Sequence, residues 1–235
     1  MVETFAENIG RIVQRVGVRS SIHGAFFPFS MVTPKQAGLI FLEVWESAEI
    51  KLSRKYLKLQ GPLDVIELGG SMGTIYSANH GLAKSWTLVE PIPKNLQMLE
   101  HVIVESAPAT RTIPVAYHSS QPHVLMTVAG NEASQIKQEQ QGGLKVPCYN
   151  MSRILAESLV PASTPYALIT DIEGAEVDLF QNDIDTLRNC ALIVAELENT
   201  PTWSIGDQVE ALRESGFDVV ESYGNVFVFL PRESK

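Results

Sequence analysis

The sequence predicts an α/β fold, a doubly wound and mostly parallel seven-stranded sheet with an antiparallel C-terminal hairpin and a helical N-terminal extension. Three observations carry that expectation. From residue 64 onward, short apolar runs alternate with segments of helical periodicity, the pattern of strand–helix–strand units that cover both sheet faces. The first run, Val65 to Leu68, enters a glycine-rich turn, Gly69-Gly70-Ser71-Met72-Gly73, and the second, Trp86 to Val89, ends on Glu90. An acid about twenty residues past such a turn is where nucleoside-binding sheets set a carboxylate against ribose. Finally, Phe217–Tyr223 and Val226–Leu230 flank Gly224-Asn225, the signature of a two-residue hairpin.

Taken in order, Phe5, Ile9, Ile12, Val13 and Val16 recur at helical spacing and predict an amphipathic N-terminal helix. A Gly/Pro/Phe-rich loop follows at 23–29. Thr33 then caps a long helix with Pro34 in its first turn, and Gly61-Pro62 ends it. That helix, 34–58, is a candidate homodimer face. Residues 1–60 thus read as a helical extension or cap, and 61–235 as the nucleoside-binding domain. Within the latter, strands are expected at 64–68, 86–90, 112–117, 166–172 and 191–197. Helices are expected at 73–82, 93–104, 150–158, from Ala175, and at 205–215. A short β-hairpin insertion is expected around 123–149, where Val124–Ala129 and Leu144–Cys148 flank a Gln-rich loop, 131–143. That loop reads equally as a substrate lid or as a merely solvated connection.

Composition narrows the function. With 235 residues, 45% of them hydrophobic, the chain can bury the core of one large domain. A net charge of -9 without a basic stripe argues against a nucleic-acid binder that tracks phosphates. No segment approaches the roughly 18 uninterrupted apolar residues of a membrane span, and the N-terminus, with Glu3 and Glu7, lacks a signal pattern. A cytoplasmic protein is expected, with no membrane and no nucleic acid as partner. Cys148 and Cys190 lack metal-ligand spacing and read as reduced, buried thiols.

The glycine turn discriminates between nucleoside cofactors. A dinucleotide needs G-x-G-x-x-G, whose second glycine lets the backbone approach a pyrophosphate. Here the matching positions are Gly69, Ser71 and Thr74, so a nicotinamide-dependent oxidoreductase is the weaker reading. S-adenosyl-L-methionine (SAM) has no phosphate and needs only a tight turn with a few donors, which Gly69, Gly70, Ser71 and Gly73 supply. Glu67 is placed to face the ammonium or sulfonium, and Glu90 to hold the ribose. A terminal antiparallel hairpin on a parallel sheet is also the arrangement of class I SAM methyltransferases. Each residue has a bland reading too: the glycines as a plain turn, Glu90 as a charged strand end. Their combination at this spacing favours binding.

Two further strands end on acids, Leu168–Asp171 followed by Glu173 and Glu176, and Leu192–Glu196. In open α/β sheets, reacting groups gather outside the carboxyl ends of the strands. Asp171, Glu173 and Glu196 are therefore expected to converge beside the cofactor crevice, although Glu173 and Glu176 also suit a helix N-terminus.

These motifs resemble the FkbM-type SAM-dependent methyltransferases over about residues 62–230. The resemblance rests on Glu67–Gly73, on Val89-Glu90-Pro91 with Asn95 and Leu99, on Val146–Ala156, on Val194–Leu197, and above all on Asp171-Ile172-Glu173-Gly174-Ala175-Glu176. Glu67, Gly70 and Ser71 replace the family's more usual Asp, Ala and Asn. The resemblance implies methyl transfer from SAM, commonly to a hydroxyl of a sugar, polyketide or other small metabolite, with nitrogen acceptors in some relatives. It also places Pro91, Asn95, Ala116 and Tyr117 near the cofactor. Asp171 is the first candidate for the base that accepts the acceptor's proton, followed by Glu196 and Glu173. The same acids suit Mg²⁺, which the sequence does not require. His118 is an alternative base, whereas His23, His80, His101 and His123 show no ligand spacing. Phe26, Phe27 and Phe29 either close over the acceptor or pack inside the extension. A non-catalytic SAM-binding module is the remaining alternative.

Overall fold

A computed structural model describes residues 2–15, 21–22, 25–26, 33–104, 109–126 and 143–232. Two short antiparallel strands, β1 (Ser21–Ile22) and β2 (Ala25–Phe26), come before the central sheet in the chain, and that sheet has seven strands: β3 (Asp64–Leu68), β4 (Ser85–Val89), β5 (Ala109–Ile113), β9 (Tyr166–Thr170), β10 (Cys190–Glu196), β11 (Phe217–Tyr223) and β12 (Val226–Pro231). Their spatial order is β11-β12-β10-β9-β3-β4-β5. The five strands from β10 to β5 run parallel, while β12 lies antiparallel between β10 and β11. The expected hairpin is therefore present, turning through Gly224 at φ 63°.

Side chains alternate between the two faces as the pleat requires. Val65, Trp86, Leu88, Ala167, Ile169, Leu192 and Val194 share one core cluster; Ile66, Leu68, Val89, Leu168, Ile193 and Ala195 share the other. Both faces are thus covered, which is why the strands read as apolar runs and not as alternating ones.

Register places the strand tips in a row. Leu68 pairs with Val89 on one side and Thr170 on the other, and Thr170 pairs with Ala195. Gly69, Glu90, Asp171 and Glu196 each occupy the next position along their own strand, so the ladder brings four motif residues to one edge of the sheet.

Several boundaries differ from expectation. The long helix from Pro34 is two helices, α2 (Pro34–Glu46) and α3 (Ala48–Gln60). Ser47 separates them: its ψ of 133° is not helical and its Oγ accepts from Ile50 N, so a serine inside the apolar pattern became an N-cap. α3 then packs into the first core cluster through Ile50, Leu52, Tyr56 and Leu57. The N-terminal helix α1 (Val2–Arg15) lies against α2, with Gly10 facing the backbone of Pro34 and Gly38 that of Ala6. A Cβ at Gly38 would stand 1.7 Å from the Ala6 carbonyl oxygen.

The strand expected at 112–117 splits at Pro114, which has no N–H for the ladder. β5 ends at Ile113, and β6 (Ala116–Tyr117) joins a separate small sheet of order β6-β8-β7. Its other members, β7 (His123–Met126) and β8 (Leu144–Tyr149), form the expected antiparallel insertion. The Gln-rich stretch up to residue 142 lies outside the described residues, as do His23, Phe27, Phe29 and the side chain of Phe26. Helices α4 (Thr74–Asn79), α5 (Pro93–Val104), α6 (Met151–Glu157), α7 (Glu176–Asn182) and α8 (Ile205–Glu214) complete the fold, and α4 continues as a 3₁₀ turn over His80–Leu82. Among the described residues no helix is long and apolar enough to cross a membrane.

Candidate active site

A cavity of about 200 Å³ opens at the row of strand tips. Its walls include Glu67, Gly69, Gly70, Ser71, Glu90, Pro91, Asn95, Ala116, Tyr117, Asp171 and Glu173 from the sequence reading. Gly73 and Glu196 are not among its lining residues. That glycine caps α4 at φ 82°, and a Cβ there would meet Leu99 Cδ2 at 2.8 Å, so its task is turn formation and helix packing.

The glycine turn is built from β3 outward. The amides of Gly69 and Gly70 both donate to the Val89 carbonyl, at 3.0 and 3.1 Å. Gly69 has φ 83°, and a Cβ on it would lie 1.8 Å from the Asp171 carbonyl oxygen. No side chain fits there, so the turn rests directly on the end of β9. Ser71 holds a left-handed φ of 44°, and its amide donates to Glu90 Oε2 at 2.8 Å.

Glu90 is a buried acceptor with several partners. Its Oε1 also accepts from Ile92 N at 2.7 Å and Asn95 Nδ2 at 3.2 Å. Burial pushes its carboxyl up to about 7, against the lowering effect of these bonds. Glu67 lies deeper, 1% exposed, with Trp86 Nε1 donating to Oε2 at 2.8 Å. Burial raises it to about 8; the Trp86 bond opposes this, and Glu90 and Glu49 add to it.

The acidic turn after β9 has its own internal brace. Glu173 and Gly174 are consecutive left-handed residues, φ 56° and 93°. Glu176 holds them: Oε1 accepts from Ile172 N at 2.7 Å and Thr170 Oγ1 at 3.2 Å, and Oε2 accepts from Gly174 N at 3.0 Å. Glu176 is 1% exposed and does not line the cavity, which makes it the support of the loop.

Asp171 and Glu196 come together as expected, but their third neighbour is Glu49 from α3, which sequence reading missed. The carboxylate oxygens of Glu49, Asp171 and Glu196 lie within 4.8 Å of one another, a grouping able to hold a metal ion; Glu173 is not part of it. Asp171 is pushed up to about 9, first by burial and then by Glu196, Glu49, Glu176 and Glu173. Asn225 of the hairpin turn donates to Glu196 Oε1 at 2.6 Å, so the terminal hairpin orients this acid. The only sequence signal for Glu49 is the serine two positions earlier, which starts α3 there and whose hydroxyl donates to the Glu49 carboxylate.

His118 stands outside the cavity. Its Nδ1 accepts from the amides of Ser120 and Gln121, at 3.2 and 3.3 Å, and lies 3.4 Å from Asp178. Tyr117 lines the cavity, and its hydroxyl donates to Asp183 at 3.0 Å. Ile92, Val115 and Met126 add apolar wall that sequence reading did not assign.

The chemistry of this lining fits SAM. A buried carboxylate beside a glycine turn suits a ribose diol, apolar side chains suit adenine, and acids suit an ammonium and a sulfonium. Comparisons with known proteins bear on the same point. The sequence matches the family described as "Methyltransferase FkbM domain" over residues 70–227. No curated protein matches it. Among solved structures, a Streptococcus pneumoniae protein described as a tRNA methyltransferase, determined with SAM, is 12% identical with a TM-score of 0.48. That match covers 80% of this chain and 74% of the other. A Pyrococcus horikoshii protein described as an RNA methyltransferase is 12% identical at a TM-score of 0.43, covering 80% and 84%. Likenesses this remote carry no argument about cofactor or substrate. With its acid-ended strands, its D-x-E-G-x-E loop and all of its glycine turn except Gly69 within the matched span, the chain belongs to the FkbM family of SAM-dependent methyltransferases.

Proposed function

We propose that this methyltransferase acts on a hydroxyl group of a small metabolite, a sugar or natural product, with Asp171 as the group that accepts the hydroxyl proton. The observation that carries the reading is the position of Asp171, on the cavity wall and in backbone contact with the glycine turn through Gly69. Among the described lining residues there is no Lys, Arg or His, which favours an uncharged acceptor over a phosphate-rich one.

SAM supplies an activated methyl carbon when bound, so the protein's work is alignment and proton removal. In this reading Glu90 accepts from the ribose hydroxyls, Glu67 lies toward the amino-acid end, and Ile92, Val115 and Ala116 flank the base. Asp171 would accept the acceptor's hydroxyl proton as the oxygen takes the methyl group that bound SAM would supply. The elevated affinity of Asp171 for protons suits that step. Loading a sulfonium nearby lowers it, because an opposite charge favours the ionised carboxyl. Glu196 and Glu173 then act by holding Asp171 in a charged neighbourhood.

The test is methyl transfer from labelled SAM to a panel of hydroxylated metabolites, followed by the same assay on Asp171→Asn. We expect kcat to fall by about 10²–10⁴ while SAM affinity changes by only a few-fold. A variant that turns over at the wild-type rate would remove Asp171 from the chemistry. EDTA treatment separates a metal-assisted version: turnover that survives it excludes a role for the Glu49–Asp171–Glu196 group as a required metal site.

A further inference from the structure

We propose that Glu49 is a specificity-determining residue of this site, completing with Asp171 and Glu196 a carboxylate face that favours positive charge where the methyl group is transferred. SAM would then be held in preference to its demethylated product, S-adenosylhomocysteine (SAH). This rests on the SAM-dependent reading above and adds to it a basis for charge selectivity.

Glu49 lies outside the matched span, which begins at residue 70, so nothing in the family motif assigns it. Three features place it in the active site. It lines the same cavity as the glycine turn and Asp171. Its carboxylate lies within 4.8 Å of those of Asp171 and Glu196, one on each of two adjacent strand ends. Its position is fixed by architecture, because Ser47 caps α3 and donates its hydroxyl to Glu49, while Ile50, Leu52 and Leu57 anchor the helix in the core.

The cavity is lined by Glu49, Glu67, Glu90, Asp171 and Glu173, with no Lys, Arg or His among the described lining residues. Acids gathered at one wall favour a ligand that brings positive charge to them. A cationic ligand supplies it in the complex. SAM brings a sulfonium that SAH lacks, so a face of this kind retains the cofactor and releases the product.

Sinefungin tests the idea directly. It shares the adenosine and amino-acid parts of SAH and carries a protonated amine at the position of the transferred methyl. Binding of sinefungin and SAH is measured by calorimetry on the full chain, wild type and Glu49→Gln. We expect the wild type to prefer sinefungin, and Glu49→Gln to narrow the ratio of affinities by about tenfold, one pKa unit's worth of interaction, with SAH affinity moving far less. Glu49→Asp should keep the preference. Should Glu49→Gln fail to fold, as seen by circular dichroism, Glu49→Ala is measured in the same way. If both ligands bind and their ratio is the same in the variant, the role of Glu49 is overturned and the cofactor assignment stands. If neither ligand binds the wild type, the cofactor assignment itself fails and takes this inference with it.

Discussion

The turn after β3 and the turn after β9 solve one problem in two ways. Each leads from a buried parallel strand into a helix, each contains left-handed residues, and each is pinned by a buried glutamate that accepts backbone amides. In the glycine turn the acceptor is Glu90, supplied by the neighbouring strand end and facing the cavity. In the acidic turn it is Glu176, supplied by the helix the turn leads into and sealed away from the cavity. Both carboxyls are raised to about 7 by burial, so their electrostatic settings are alike. What separates the two glutamates is geometry: Glu90 stands at the cavity wall, whereas Glu176 is spent on its own loop.

The comparison is sharpest at the point where the two turns touch. Gly69→Ala would force a Cβ to within 1.8 Å of the Asp171 carbonyl at a φ that disfavours side chains. We expect a loss of at least about 3 kcal/mol, lowering Tm by roughly 2–4 °C per kcal/mol in a chain of this size. A Tm within a degree of wild type would show that the two turns are not in contact.

Glu176→Ala comes next. It leaves the amides of Ile172 and Gly174 without their acceptor, a cost of about 2–4 kcal/mol. SAM affinity per folded molecule should be nearly unchanged. Glu90→Ala likewise leaves the amides of Ser71 and Ile92 without their acceptor, and should in addition weaken SAM by about 1.5–3 kcal/mol in calorimetry. If the two variants proved equal in both readouts, the division between binder and support would be wrong.

The smallest expected effect is on pH dependence. Asp171, Glu90 and Glu176 all have folded affinities for protons above those of an unfolded chain. The folded state therefore binds protons that the unfolded state releases, so these groups favour folding below the usual carboxylate range. That contribution is lost as pH rises through about 7 for Glu90 and Glu176 and about 9 for Asp171. Tm of the ligand-free protein should fall as pH rises from 5.5 to 9.5, an interval chosen around those values. Asp171→Asn should flatten the alkaline part of the fall and raise Tm there by a few degrees, about 1–2 kcal/mol of relieved burial. A steeper alkaline fall in the variant would contradict the burial account.

Much of this site was legible in the sequence because a parallel ladder converts one-dimensional motifs into a row. Once Val65–Leu68, Trp86–Val89, Leu168–Thr170 and Leu192–Ala195 are read as strands, the residues after them must meet at one edge. Glu90, Asp171 and Glu196 needed no further information. The C-terminal hairpin was equally legible from Gly224-Asn225, although its service to Glu196 through Asn225 was not. What escaped depended on contacts between distant segments. Ser47 breaks an apolar pattern that reads as continuous, and only the packing of α3 into the first core cluster carries Glu49 to the cavity. Pro114 is a different kind of miss, since a proline without an N–H already warned against one strand across 112–117. Gly73 was assigned to the cofactor by motif, whereas its left-handed φ and its approach to Leu99 give it a packing role.

The glycine at position 69 has a consequence for exchange between relatives. Its backbone lies against the carbonyl of Asp171 with no room for a side chain, so the nucleoside half and the acid-bearing half were fitted to each other as surfaces. A chimera joined between residues 74 and 165 would inherit each surface from a different parent, and a mismatch of a few tenths of an ångström would fall at this junction. Swapping the segment before β3 instead would leave the fitted pair intact while replacing Glu49. New selectivity is therefore easier to graft at the front of this chain than through its middle.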